Sequence, residues 1–118
     1  MLARRGSAHG QAQALAQSAP VFAALGDQVR LRLVARLGSE GPLSIAQLTD
    51  GTDVTRQAVT KHLRVLADAG LARSVRQGRE QLWRLEGASL EEAQRSLARI
   101  ARRWDEALLR LKAKVEGE

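Results

Sequence analysis

The sequence predicts a mainly α-helical fold with a small β-hairpin, arranged as a winged helix-turn-helix and paired with a second copy through its terminal helices. Three observations carry that reading. Two helical patterns, around Ser44 and from Thr55 onward, are separated by only a few turn-forming residues. The apolar period changes from 3.6 to 2 beyond Gly70, and the chain closes on a long stretch whose apolar residues follow nearly a heptad.

At 118 residues the chain suits one domain with a single modest core. It contains no cysteine, which removes disulfides, thiolate metal sites and cysteine nucleophiles together. No apolar run approaches the roughly 18 residues of a membrane span. Residues 1–17 follow Arg4 and Arg5 with Ala, Gln and Ser rather than a continuous apolar segment, so they read as a flexible arm of a cytoplasmic protein. The folded domain is then 18–118.

The elements follow in order. Pro20 is tolerated in the first turn of a short helix through "VFAALG", which Gly26 closes. Asp27 is the N-cap of the next helix, where Val29, Leu33, Val34 and Leu37 recur at helical spacing and Gly38 is the expected stop. "SEGP" reads as a turn. Ser44 caps a compact helix with Ile45 and Leu48 inward, and Gly51 ends it. Thr55 caps a helix that runs toward Gly70. Two extended segments, Leu71 to Arg76 and Gln81 to Leu85, flank "QGRE" as a hairpin turned by Gly78. Ser89 and Glu92 form a capping box that opens the last helix, 89–116. Its apolar residues, Leu90, Ala93, Leu97, Ile100, Trp104, Leu108, Leu111 and Val115, lie three or four apart. A helix of about 40 Å is longer than so small a domain can cover, so a second protomer is expected on it. The expected dimer contacts are Phe22, Leu97, Ile100, Trp104, Leu108 and Leu111.

The net charge of +6 is unevenly distributed. Between Val54 and Arg84 stand seven bases (Arg56, Lys61, Arg64, Arg73, Arg76, Arg79, Arg84) and two acids (Asp68, Glu80), so seven minus two leaves +5 on this stretch alone. Such a concentration is the footprint of a polyanion-binding surface. On a helical wheel Ala58, Val59, Leu63, Val65 and Leu66 share one arc, and Arg56, Gln57, Thr60, Lys61 and Arg64 occupy the other side. His62 falls inside the apolar arc, which assigns it to packing rather than to base reading; the second histidine, His9, lies in the arm. The polar side has the donors and acceptors that base edges and phosphates take, although a solvated helix face carries the same residue types. The tight turn before it and the basic hairpin after it favour DNA. The expected contacts are Ser44, Thr55, Arg56, Gln57, Thr60, Lys61 and Arg64, with Arg76 and Arg79 from the hairpin tip. Glu80 would be repelled there and is expected to pair with a neighbouring Arg.

The stretches "FAALGDQVRLRLVARL", "GPLSIAQLTDGTDVTRQAVTKHLRVLADAGLARS" and "RQGREQLWRL" resemble the ArsR/SmtB family of winged-helix regulators over roughly residues 20–86. "AVTKHLRVLADAGL" is close to that family's A-V-S-x-H-L-x-x-L-x-x-A-G-L signature. The resemblance implies a homodimer built on the first and last helices, binding a double-stranded DNA operator as a symmetric pair to repress transcription until an effector of unknown identity intervenes. It also implies a packing role for the signature histidine. The chain departs from the metal-sensing members. Their L-x-V-C-x-L motif corresponds to Leu43-Ser44-Ile45-Ala46-Gln47-Leu48, with Ala46 in the thiolate position, and no histidine follows Ser89. Trp104 and "RRWDEALLRLKAKVE" resemble a metal-independent branch. No metal, other cofactor or membrane partner is therefore expected. Nor is a catalytic residue, because no His has Ser and Asp partners at motif spacing. The alternative is a winged-helix interaction module that uses the long helix to bind another protein.

Overall fold

The computed structural model of the chain describes residues 12–117 together with Gly10; the rest of the expected arm, His9 included, lies outside the described residues. Within that arm, 12–17 is helical, as its Ala, Gln and Leu content favours, rather than irregular. The elements that follow are α1 (Ala19–Leu25), α2 (Gln28–Glu40), α3 (Ile45–Thr49), α4 (Arg56–Asp68), β1 (Ala72–Gln77), β2 (Glu80–Leu85) and α5 (Gly87–Glu116).

Helix α2 starts as the sequence indicates, with the Asp27 carboxylate accepting from the Arg30 backbone N–H at 3.0 Å. It does not stop at Gly38. It runs on to Glu40 and ends at Gly41, whose φ of 83° provides the left-handed exit. Gly38 is interior because α2 packs on the hairpin there: a Cβ at this position would touch Leu85 Cδ2 at 3.5 Å. Ser39 and Glu40, expected in a turn, are helical.

Helices α3 and α4 form the helix-turn-helix. Ser44 and Gln47 make a reciprocal capping box at the start of α3 (2.9 and 3.1 Å), and the Thr55 hydroxyl accepts from the Ala58 N–H at 3.1 Å at the start of α4. On α4, Val59, Leu63 and Leu66 are essentially inaccessible to solvent. Val65, placed by the wheel at the far edge of the apolar arc, is instead exposed, because the contact stripe is narrower than that arc.

The hairpin is antiparallel in the register Ala72↔Leu85 to Gln77↔Glu80, one residue later on its first strand than expected. Gly78, at φ 65°, takes the first central position of its two-residue turn, as a type II′ hairpin requires. Leu43 exchanges both backbone hydrogen bonds with Trp83, at 3.0 and 2.8 Å, fixing the hairpin to the entrance of α3. The core gathers Val21 and Ala24 of α1, Leu33 and Leu37 of α2, Leu48, the buried face of α4, Leu71, Trp83 and Ala93.

Helix α5 begins two residues before the expected capping box, and its N-cap, Glu86, makes no capping bond. Ser89 is already inside the helix, packed on Gly70, and the Glu86 carboxylate is drawn toward two arginines of the hairpin. The helix has 30 residues, about 45 Å at 1.5 Å per residue. It gives the chain a radius of gyration of 19.4 Å, where a compact domain of this length has about 13–14 Å.

Candidate nucleic-acid interface

The polar side of α4 is open. Arg56, Gln57, Lys61 and Arg64 are exposed, Thr60 is half-buried, and these five side chains line one shallow surface depression. The two hydroxyls at this end of the helix have backbone tasks. Thr55 caps the first turn, and Thr60 Oγ1 donates to the Arg56 carbonyl at 2.8 Å, which leaves its lone pairs outward. Ser44 is likewise engaged, its Oγ accepting from Gln47 N. It keeps its own proton for an incoming acceptor.

Charge pairing divides the basic stretch in two. Arg73 and Arg84 face each other across the hairpin and converge on Glu86 Oε1, at 3.2 and 3.8 Å. Glu86 lies just outside the stretch counted in the sequence, so the count overstates the free charge. For Arg56, Lys61, Arg64, Arg76 and Arg79, no carboxylate stands within 4 Å among the described residues. Those five are the bases that the wheel and the hairpin tip single out. Glu80 makes no ion pair among the described residues, contrary to expectation; it sits at the end of the turn, away from the paired arginines.

His62 lies between the two faces, with 23% of its side chain exposed. Its Nδ1 is 3.3 Å from Arg30 Nη1 and 3.8 Å from Asp27 Oδ2. Only the first is a hydrogen-bonding distance. Asp27 is held below the usual carboxylate range chiefly by the hydrogen bond from the Arg30 backbone N–H, with the nearby Arg30 guanidinium adding to it. Arg36, further along α2, pairs with Glu40 at 2.8 Å and donates to the Gln47 and Leu48 carbonyls, so it secures α3. This pairing lowers the Glu40 carboxyl and raises the Arg36 guanidinium. Sequence reading missed Asp27, Arg30 and Arg36 as supports of the site, since nothing in local spacing joins residue 30 to residue 62.

Leu97, Trp104, Leu108, Leu111 and Val115 are all more than half exposed along α5, while Ile100 and Phe22 are half-buried. The apolar spacing that carries Leu90 and Ala93 into the core continues past Leu97 onto the exposed part of α5.

Comparison with known proteins agrees with this geometry. Residues 25–75, which hold the helix-turn-helix, match the family described as Helix-turn-helix domain. Over 65 residues the chain is 40% identical to YuzN of Bacillus subtilis, an HTH-type transcriptional regulator, covering 50% of this chain and 71% of that one. An ArsR-like transcriptional regulator from Rhodococcus sp. RHA1 superposes with a TM-score of 0.71 at 40% identity, covering 82% of this chain and 91% of that one. The chain belongs to the ArsR-like family of helix-turn-helix transcriptional regulators. The HTH-type regulator Rv2034 of Mycobacterium tuberculosis is 32% identical over 95 residues, 80% of this chain and 85% of that protein. As an ArsR-like regulator the chain is a DNA-binding protein, and among the described residues no helix is long and apolar enough to cross a membrane.

Proposed function

We propose that this ArsR-like regulator is a metal-independent, cytoplasmic repressor that binds a near-palindromic operator as a homodimer. The observation that carries the reading is the division of α4. Val59, Leu63 and Leu66 anchor it, and Arg56, Gln57, Thr60, Lys61 and Arg64 face outward, with no carboxylate of the described residues within 4 Å of the three bases. Gln57, Thr60 and Lys61 read base edges in the major groove. Thr55, Ser44, Arg56 and Arg64 take phosphates beside them, and Arg76 and Arg79 carry the hairpin tip to the adjacent backbone or minor groove. The open stripe on α5 receives its equivalent from a second copy, with Phe22 completing the contact, so that two α4 helices meet successive major grooves about one turn apart.

Metal independence rests on chemistry. Ala46 has no donor atom, the chain has no cysteine, and α5 has no histidine, so the soft and borderline ligands of transition-metal sites are missing where the family would put them. Zinc is expected to leave operator affinity unchanged.

Selection of bound DNA from a random pool tests the whole reading. Enrichment of paired inverted half-sites is expected, and a failure to enrich any palindrome would sink it. The same exposed stripe would also serve an interaction module in which DNA is incidental. Sedimentation separates the two, because such a module is a monomer without its partner.

A further inference from the structure

We propose that Arg30 is a positioning residue for DNA binding, tying the pose of α4 to that of α1 and so setting the half-site spacing the dimer accepts. The inference rests on the dimeric operator-binding reading above, and its basis is one guanidinium shared by three helices. Arg30 belongs to the first turn of α2. Its Nε donates to the Ala24 carbonyl at 2.6 Å and its Nη2 to the Ala23 carbonyl at 3.5 Å, while Nη1 lies 3.3 Å from His62 Nδ1. Ala23 and Ala24 stand at the end of α1, where carbonyls lack partners within the helix; the Ala23 carbonyl also accepts from the Gly26 N–H at 3.2 Å, and the Ala24 carbonyl is the one that depends on the guanidinium. The guanidinium therefore satisfies the end of α1 and spends a remaining donor on α4.

A guanidinium is a rigid planar fork, so acceptors bound to it are held at fixed positions relative to one another. A lysine ammonium offers no such geometry. For Nδ1 to accept from Arg30, the imidazole must carry its proton on Nε2. Asp27 Oδ2, 3.8 Å from the same nitrogen, is occupied by the Arg30 backbone N–H and leaves Nδ1 to the fork. His62 thus has a function that the wheel leaves open: on the inner edge of α4, it adds a directional polar tie to α1 and α2 beside the apolar packing of Val59, Leu63 and Leu66.

The consequence is geometric. Adding one base pair between half-sites moves one of them by about 3.4 Å and rotates it by about 35°. A dimer whose α4 helices are clamped to the α1 helices at its seam rejects that change, and a dimer with loose α4 helices tolerates it.

The test titrates the full-length protein against selected operators whose half-sites are one base pair closer, at the selected spacing, and one or two base pairs further apart. Wild type is expected to favour the selected spacing by about tenfold or more, and Arg30→Gln and His62→Leu to level that preference to within about threefold. Both should keep their order of base preference within a half-site. His62→Gln, which retains an acceptor oxygen for the guanidinium, is expected to restore the preference. A merely structural role predicts something else: a lower melting temperature and an equal loss of affinity at every spacing, which would overturn the inference. Should Arg30→Gln not fold, the contrast between His62→Leu and His62→Gln decides. Selected DNA without paired half-sites would overturn the dimer reading and this inference with it. A paired operator whose spacing preference survives His62→Leu and any folded Arg30→Gln would overturn this inference alone.

Discussion

Ser89 packs against the backbone of Gly70 so closely that a Cβ at position 70 would stand 2.6 Å from the Ser89 hydroxyl oxygen. Gly70, at φ 78°, turns the chain out of α4 toward the hairpin, and Ser89 sits in the first turns of α5. The end of α4 is thus keyed to the start of α5. Gly70→Ala is expected to destabilise the fold by about 2–4 kcal/mol, combining the left-handed penalty with the overlap. Adding Ser89→Ala removes the close oxygen and should recover the steric part but not the backbone part. Denaturant titration of the three variants measures both.

Stability should fall in acid partly through Asp27. Its folded-state carboxyl is lowered, so the folded protein releases that proton more readily than the unfolded chain does. The contribution is complete above the ordinary Asp value and is lost as the pH drops through the folded one. Glu40 acts in the same direction through Arg36. Asp27→Asn keeps a capping oxygen but cannot titrate. Its urea midpoint is expected to fall less than that of wild type between about pH 6 and about pH 3.

The exposed stripe of α5 makes Trp104 a reporter of assembly. The protein has two tryptophans and no tyrosine; Trp83 is buried, whereas Trp104 is 66% exposed in the single chain. In a Trp83→Phe background, the emission of Trp104 should shift to the blue as protein concentration rises through the dimer dissociation constant. Leu108→Asp places a charge in the middle of the seam and should abolish both the shift and the dimer in sedimentation.

Pairing at Glu86 makes the arginines of the hairpin unequal. Arg76→Ala or Arg79→Ala should each reduce the slope of log affinity against log salt by about 1, as loss of a phosphate contact does. Arg73→Ala should leave that slope nearly unchanged, because its charge is already spent on a carboxylate at 3.2 Å.

Much of this was legible in the residues. Asp27, Ser44 and Thr55 each cap the helix that their position announces, and the A-G-L ending of α4 leads into the hairpin as expected. These are local signals, set by hydrogen bonds over three residues. What escaped depends on contacts distant in sequence. Gly38 looks like a stop until Leu85 arrives beside it, and Ser89 looks like a cap until Gly70 does. Glu86, which follows the hairpin in sequence, pairs with two of its four arginines and so leaves Arg76 and Arg79 as the unpaired ones among the described residues. The outward residues of α4 were readable because a helix of 3.6-residue period can bury only one face. The partners of His62 were not, because Asp27 and Arg30 lie more than 30 positions away.

Titration of a selected operator and a scrambled duplex with wild type, Gln57→Ala and Lys61→Ala over a range of salt decides whether the polar face of α4 reads DNA. Gln57→Ala is expected to narrow the gap between operator and scrambled duplex by about 1–3 kcal/mol, and Lys61→Ala to lower affinity for one or both. If both variants matched wild type on both duplexes at every salt concentration, α4 would not be in the interface and the account would be wrong.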